Sequence, residues 1–248
     1  MDMSAVPATG PRSRAARPER PSVVIVDYQA GNLRSLTAAF TALGARVTLL
    51  DRPRPGLRFD RLVVPGVGAF DWACQRLNST GLKELIQQSV AEGVPVLGIC
   101  LGMQWLWETS EEGREPGLGL WPGRVIRFRN VPRVPHMGWN QVEWVAGTRR
   151  SAWLVGFPSG YAYFAHSYYP EPADPDLVWA VTEYGSVRFP SVVGRDHVVG
   201  VQFHPEKSGT WGLAFLQRWL EEGRAPCIPS AYLPSIGDEV DAGSHSGH

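Results

Sequence analysis

Val94-Pro-Val-Leu-Gly-Ile-Cys-Leu-Gly-Met-Gln-Trp-Leu-Trp107 begins as a short apolar β-type run, passes through Gly98-x-Cys100-x-Gly102 and leaves as a helix-type apolar pattern. Cys100 therefore sits at a strand-to-helix turn between two glycines, the layout of a nucleophile elbow. The glycines would permit the tight turn. The helix N-terminus would favour a thiolate, and its first N–H groups would face a developing oxyanion. Taken alone, the pentapeptide also fits a small buried thiol in a strand-end turn. Its surroundings have to decide.

Upstream of the elbow, Val23 to Asp27 is an apolar β run, and beyond Tyr28 and Gly31 a helical stripe of Leu33, Leu36, Phe40 and Leu43 stops at Gly44. Val47 to Leu50 and Arg61 to Val64 are two further strands, separated by a loop around Pro53 and Pro55. Pro65-Gly-Val-Gly68 closes the second, and helices are expected near Phe70 to Leu77 and Leu82 to Ala91. Buried strands alternating with helices predict a parallel sheet with the elbow strand inside it.

Downstream, Glu111 to Gly119 is a charged, glycine-rich loop, followed by β runs at Val125 to Phe128, Val142 to Val145, Tyr161 to His166, Val178 to Glu183, Val187 to Val193 and Val198 to Phe203. Antiparallel strands are expected there, and Gly212 to Leu220 reads as a closing helix. The fold class is thus α/β, with a mostly parallel central sheet and added antiparallel strands in the C-terminal half. One domain over residues 22–222 is expected, between a disordered extension at 1–21 and a mostly disordered tail at 223–248 rich in Pro, Ser, Gly and Asp.

The 248 residues are enough for one large α/β core. Lys and Arg number 24 and Asp and Glu also 24, so no net field recruits nucleic acid or anionic lipid. Cys74, Cys100 and Cys227 are an odd set without metal-ligand spacing, which points to a reducing cytoplasm and to no metal. The first residues lack the apolar segment of a secretory signal, and no apolar run reaches the roughly 18 residues of a membrane span.

A cysteine nucleophile needs a base, and a third group to hold that base in one tautomer. His204-Pro-Glu206, directly after a predicted strand, offers an imidazole and a carboxylate at rigid spacing. The order Cys, then His-x-Glu, differs from α/β-hydrolases, where the acid precedes the histidine by many residues. Pro65 to Gly68 would turn backbone N–H groups into the same cleft. Magnitudes favour that turn as a control point. Lowering the pKa of a free thiol can raise its thiolate fraction only about 30-fold, or about 2 kcal/mol. One oxyanion donor contributes about 3–4 kcal/mol. His136 and His166 have no acid or base partner evident in the sequence and are assigned structural hydrogen bonds; Trp72, Trp121 and Trp144 are read as packing, and Cys74 as a buried helix thiol.

Pro65-Gly-Val-Gly68, Gly98-Ile-Cys-Leu-Gly-Met-Gln104 and Gln202-Phe-His-Pro-Glu-Lys-Ser208 together resemble the class I glutamine amidotransferases. Val26-Asp-Tyr-Gln-Ala-Gly-Asn-Leu-Arg-Ser35, Pro135-His-Met-Gly-Trp-Asn140 and Tyr163-Phe-Ala-His-Ser-Tyr168 narrow the likeness to the glutaminase subunits of imidazole glycerol phosphate synthases, in histidine biosynthesis. The resemblance spans about Ser22 to Glu222.

It implies glutamine hydrolysis through a γ-glutamyl thioester on Cys100, with His204 as base and then acid, oriented by Glu206. Leu101 and Val67 or Gly68 would supply the oxyanion N–H groups, and Gly68, Gln104, Glu112, Ser167 and Tyr168 would hold glutamine, with Glu112 suited to its α-ammonium. No cofactor is implied. The partner implied is a (β/α)₈ barrel cyclase, bound as a heterodimer, that receives ammonia through a channel and converts the ribotide PRFAR to imidazole glycerol phosphate and AICAR. Asn32, Trp139, Tyr163 and Lys207 match interface positions, although Trp139 and Tyr163 equally suit a core. Two other readings are a glutaminase serving another acceptor, as in anthranilate or aminodeoxychorismate synthase, and a catalytically silent scaffold subunit.

Overall fold

The computed structural model describes residues 20–29, 33–148 and 151–222. Most of the expected N-terminal extension, the tail at 223–248 with Cys227, and Asn32 and Gly31 lie outside the described residues. The first half alternates as the apolar runs require: β1 (Ser22–Val26), α1 (Leu33–Ala42), β2 (Arg46–Leu50), β3 (Arg61–Val64), α2 (Phe70–Thr80), α3 (Leu82–Ala91), β4 (Val96–Ile99) and α4 (Leu101–Gln104). β3 and β4 are buried at every position, as strands covered on both faces must be. The second half is mainly β: β5 (Trp107–Ser110), β6 (Trp121–Arg127), β7 (His136–Trp144), β8 (Gly160–His166), β9 (Tyr168–Pro172), β10 (Val178–Tyr184), β11 (Val187–Arg195) and β12 (Val198–Val201), closed by α5 (Gly209–Glu221).

The main sheet has nine strands in the order β2-β1-β3-β4-β12-β11-β10-β7-β8. From β2 to β12 every pairing is parallel, and from β12 to β8 every pairing is antiparallel. β4 and β12 are neighbours although about a hundred residues apart in sequence, so the last strand returns to the middle of the sheet. A smaller sheet, β5-β6-β9, packs beside it.

Two apolar layers cover the main sheet. One packs Val23, Ile25, Leu97 and Val199 against Phe40 of α1 and Phe215, Leu216 and Trp219 of α5. The other packs Val24, Leu62, Val64 and Val96 against Phe70, Leu77 and Ile86 of α2 and α3. No helix among the described residues is long and apolar enough to cross a membrane.

The helix after the elbow is shorter than its apolar pattern predicts. α4 is a single turn, and the chain re-enters a sheet at Trp107. Trp105, Leu106 and Trp107 are all at most 1% exposed, so their apolarity records burial on all sides and not one face of a helix. β7 starts well before Val142, because its first half carries His136, Gly138 and Asn140. β9 has no apolar run to announce it; Pro170 and Pro172 mask it, and they are tolerated because β9 lies at the edge of its sheet.

Candidate active site

β3, β4 and β12 are adjacent and parallel, with Val64 opposite Gly98 and Ile99 opposite Val201. The Pro65 to Gly68 turn, Cys100 and His204 therefore leave the sheet at one edge, in a row. That is the carboxyl-terminal edge, where open α/β sheets place their sites.

Cys100 carries the sharp turn itself, with φ 54° and ψ −109°. The flanking glycines supply room and not dihedral freedom: a Cβ on Gly102 would lie 1.8 Å from the carbonyl oxygen of Val64, and one on Gly98 would lie 2.7 Å from that of Gly102. The elbow is pinned by the Cys100 N–H, which donates to Val201 at 2.8 Å, while its carbonyl accepts from Met103 and Gln104 at 3.0 and 3.1 Å. Cys100 Sγ lies 3.9 Å from the Ala165 carbonyl and 3.7 Å from Nε2 of Gln202, a fully buried side chain. The Gln202 Oε1 in turn accepts from Gln104 Nε2 at 3.2 Å.

His204 is buried, and its Nδ1 lies 3.0 Å from Glu206 Oε1, which leaves Nε2 for the sulfur. Burial disfavours the imidazolium. The Cys100 thiolate, a hydrogen bond to that sulfur and the Glu206 carboxylate outweigh this and hold His204 up at about 10. The three groups of the expected triad thus meet. The turn that carries them is clasped to β8: the His204 N–H donates to Tyr163 at 2.9 Å, and Ser208 Oγ accepts from the Tyr163 N–H at 2.9 Å while donating to the His204 carbonyl at 2.6 Å.

A cleft of about 180 Å³ opens beside the sulfur, lined by Val67, Gly68, Cys100, Leu101, Gln104, Glu112, Ser167 and Tyr168. All the residues assigned to glutamine from the sequence are there. Its size suits a free amino acid and falls below the roughly 300–1,000 Å³ of sites for larger ligands. Gln104 Nε2 donates to the Tyr168 carbonyl at 2.8 Å. Burial pushes the Glu112 carboxyl above its usual range, the Phe70 N–H pulls it back in part, and Asp71 pushes it up again. A wider, shallow trough of about 710 Å³ runs over Ala38, Thr41 and Leu49, with no cysteine, histidine or carboxylate among its lining residues. Among the described residues no group of His, Cys, Asp and Glu could hold a metal ion.

The Pro65 to Gly68 turn is tightly seated. Tyr28 Oη donates to the Pro65 carbonyl at 2.9 Å, and a Cβ on Gly66 would meet both Tyr28 Oη and Leu101 Cβ at 2.6 Å. The Leu101 N–H donates to the Gly66 carbonyl at 3.4 Å, so this expected oxyanion donor already has a partner. Gly68 holds φ +102°, a conformation side chains rarely adopt.

Trp139 and Tyr163 pair on β7 and β8, ring centroids 6.4 Å apart, and Lys207 Nζ stands 5.9 Å from the Tyr163 ring. At 57% exposed, Trp139 is a surface group and not core, and Met137 and Tyr161 beside it are 65% and 60% exposed. Asn32 lies outside the described residues. His136 and His166 face each other at 3.2 Å, and His166 Nδ1 lies 2.8 Å from the Tyr168 carbonyl, so their assignment to structural hydrogen bonds agrees with the geometry. Burial lowers them to about 4 and about 3. Cys74 is buried, accepts from Trp105 Nε1 at 2.9 Å, and is pushed up to about 12 by that burial. Trp121 packs against Trp107, Trp144 against Phe157 and Trp72 against Tyr28, although Trp72 is 40% exposed.

The profile of the family described as "Glutamine amidotransferase class-I" matches residues 24–221. The chain belongs to that family. Among relatives of this amidotransferase, the "Imidazole glycerol phosphate synthase subunit HisH" of Gloeobacter violaceus is 47% identical over 203 residues, covering 81% of this chain and 89% of the relative. The protein of that name from Thermosynechococcus vestitus is 44% identical over 202 residues, covering 81% and 96%. In fold the amidotransferase is similar to a crystal structure of a glutamine amidotransferase, with TM-score 0.61 and 22% identity over 80% of this chain and 97% of the other. It is similar also to a chain of PurLQS from Thermotoga maritima, with TM-score 0.63 and 17% identity over 82% and 99%. The class I amidotransferase fold expected from the sequence, parallel at first and antiparallel later, is the one observed. Within this amidotransferase the sequence signals for Gln202 and Ser208 were present in one motif, but the bonds that give them a role join residues far apart in the chain.

Proposed function

We propose that this chain is the glutaminase subunit of an imidazole glycerol phosphate synthase, and that Cys100, His204 and Glu206 hydrolyse the side-chain amide of glutamine. The observation that carries the reading is the meeting of these groups at the mouth of a cleft lined by Gly68, Gln104, Glu112, Ser167 and Tyr168. The relatives named as HisH subunits supply the acceptor reaction. Cys100 Sγ attacks the amide carbon. The tetrahedral oxyanion collects N–H groups from Leu101 and from Val67 or Gly68, so the Leu101 bond to Gly66 yields during turnover. His204 Nε2 protonates the leaving ammonia, and the γ-glutamyl thioester remains. A water, deprotonated by the same imidazole, then releases glutamate.

Ammonia passes to a (β/α)₈ barrel cyclase bound as a heterodimer. What supports that partner is the exposed apolar cluster of Met137, Trp139 and Tyr161, continued by half-buried Tyr163 and Lys207, on β7 and on β8, which clasps the His204 turn. Replacing Cys100 by Ala should abolish glutamine-dependent synthesis of imidazole glycerol phosphate in the complex while ammonia-dependent synthesis survives. Retained use of glutamine would sink the assignment of the nucleophile. Copurification with a chorismate-binding chain would favour the other acceptor. Failure of a glutamine-mimicking electrophile to label Cys100, followed by mass spectrometry, would favour the silent scaffold.

A further inference from the structure

Glu112 stands on the loop between β5 and β6, and nothing in that loop's own sequence fixes its place in the cleft. The loop is instead sewn to the first turn of α2, some forty residues earlier. Asp71 Oδ1 accepts from the N–H of Arg114 at 2.8 Å and from that of Glu115 at 2.9 Å. Bonds run the other way too, since the Glu112 carboxylate accepts from the Phe70 N–H. Gln75 Nε2, one turn further along α2, donates to Glu115 Oε1 at 3.2 Å. The approach is so close that a Cβ on Gly113 would lie 1.8 Å from Asp71 Oδ1. On its other flank the loop is held by Ser110 Oγ, which accepts from the Glu112 N–H at 3.1 Å. Glu112 lines the cleft between these two anchors, while Asp71 is not among the residues lining it.

We infer that Asp71 is a positioning residue for glutamine: by accepting two backbone N–H groups of the loop after Glu112, it fixes that carboxylate where the substrate's α-ammonium binds. The inference rests on the reading that Glu112 receives the ammonium. A carboxylate accepting two backbone N–H groups makes charge-assisted bonds, and an alanine in its place leaves both donors to water and the loop free to swing. The chemistry at Cys100 does not need Asp71. Its loss should therefore appear in KM and not in kcat.

The test uses the complex with the cyclase subunit. Asp71→Ala should raise the KM for glutamine about tenfold and leave kcat within about twofold. The inhibition constant of 4-carbamoylbutanoate, which is glutamine without its α-ammonium, should stay where it is. In a Glu112→Gln background the further effect of Asp71→Ala should vanish. Asp71→Asn, which keeps an acceptor oxygen but not the charge, should raise KM about twofold to threefold with the same selectivity. It carries the test even where the alanine variant does not fold. An equal loss of affinity for glutamine and for the desamino analogue would mean general loosening and would overturn the inference, as would additive effects in the double variant. If Glu112→Gln raises KM and neither Asp71 variant does, the inference alone fails. If Glu112→Gln leaves KM unchanged, the ammonium reading fails and takes the inference with it.

Discussion

Cys100 is held at φ 54°, a conformation that costs a non-glycine residue about 1–3 kcal/mol and persists only where its surroundings fix it. Here the Val201 carbonyl fixes the backbone, and Gln202 Nε2 approaches the sulfur from the neighbouring strand. The charge on His204 ties the pair to pH. Its folded value, about 10, lies above the ordinary 6.5, so the folded state binds the proton more tightly than the unfolded chain. The stability this provides is fully present below pH 6.5 and is lost as pH rises through about 10. Cys100→Ala removes the largest contribution that raises His204. The gap in melting midpoint between the native protein and Cys100→Ala should therefore close as pH rises toward 10, where His204 loses its proton. Each pKa unit is worth about 1.4 kcal/mol, or roughly 3–6 °C for a domain of this size. A pH-independent gap would refute the ion pair. The motifs made Cys100, His204 and Glu206 legible because each stands at a strand end with its neighbours in sequence. Gln202 and Asp71 were not legible, since their meaning lies in partners far away in the chain.

At the scale of elements, the one-turn helix α4 matters more for where it sits than for its dipole. Four residues carry little macrodipole, and the first N–H is turned to Gly66. What α4 provides is close packing on β3, made possible by Gly102 with the Val64 carbonyl where a Cβ would go. Backbone on both sides leaves nothing flexible to yield. Gly102→Ala should cost more than about 3 kcal/mol, seen as a large loss of midpoint or as insoluble protein. An alanine variant with native stability and activity would show that β3 and α4 can separate, and with them the Pro65 to Gly68 turn and Cys100. The sequence reads this elbow correctly as a strand followed by a turn. It misjudges the length of the helix because residues buried on all sides have no period to report. The parallel strands are legible for the opposite reason: β1, β3 and β4 are short apolar runs bounded by turn residues.

At the scale of the whole molecule, the antiparallel half of the sheet ends at β8, an edge strand that returns to the Cys100 sulfur through Ala165. An exposed edge is normally protected by charge or cover. Here the turn holding His204 covers part of it, through the bonds that Tyr163 exchanges with His204 and Ser208. His204, the proposed base, is thus mounted on the same strand pair that displays Met137, Trp139 and Tyr161 and carries half-buried Tyr163. A partner seated on those rings would touch, through Tyr163, the segment that positions the imidazole. Trp139 is the test of that surface, because it is 57% exposed. A buried interface tryptophan typically contributes 2 kcal/mol or more, so Trp139→Ala should weaken binding of the cyclase subunit about 30-fold or more by calorimetry. The melting midpoint of the isolated chain should stay unchanged. Unchanged affinity would remove Trp139 from the interface. Lowered affinity together with a lowered midpoint would mean that the ring holds up β7 and β8, and the partner would then have to be sought on another face.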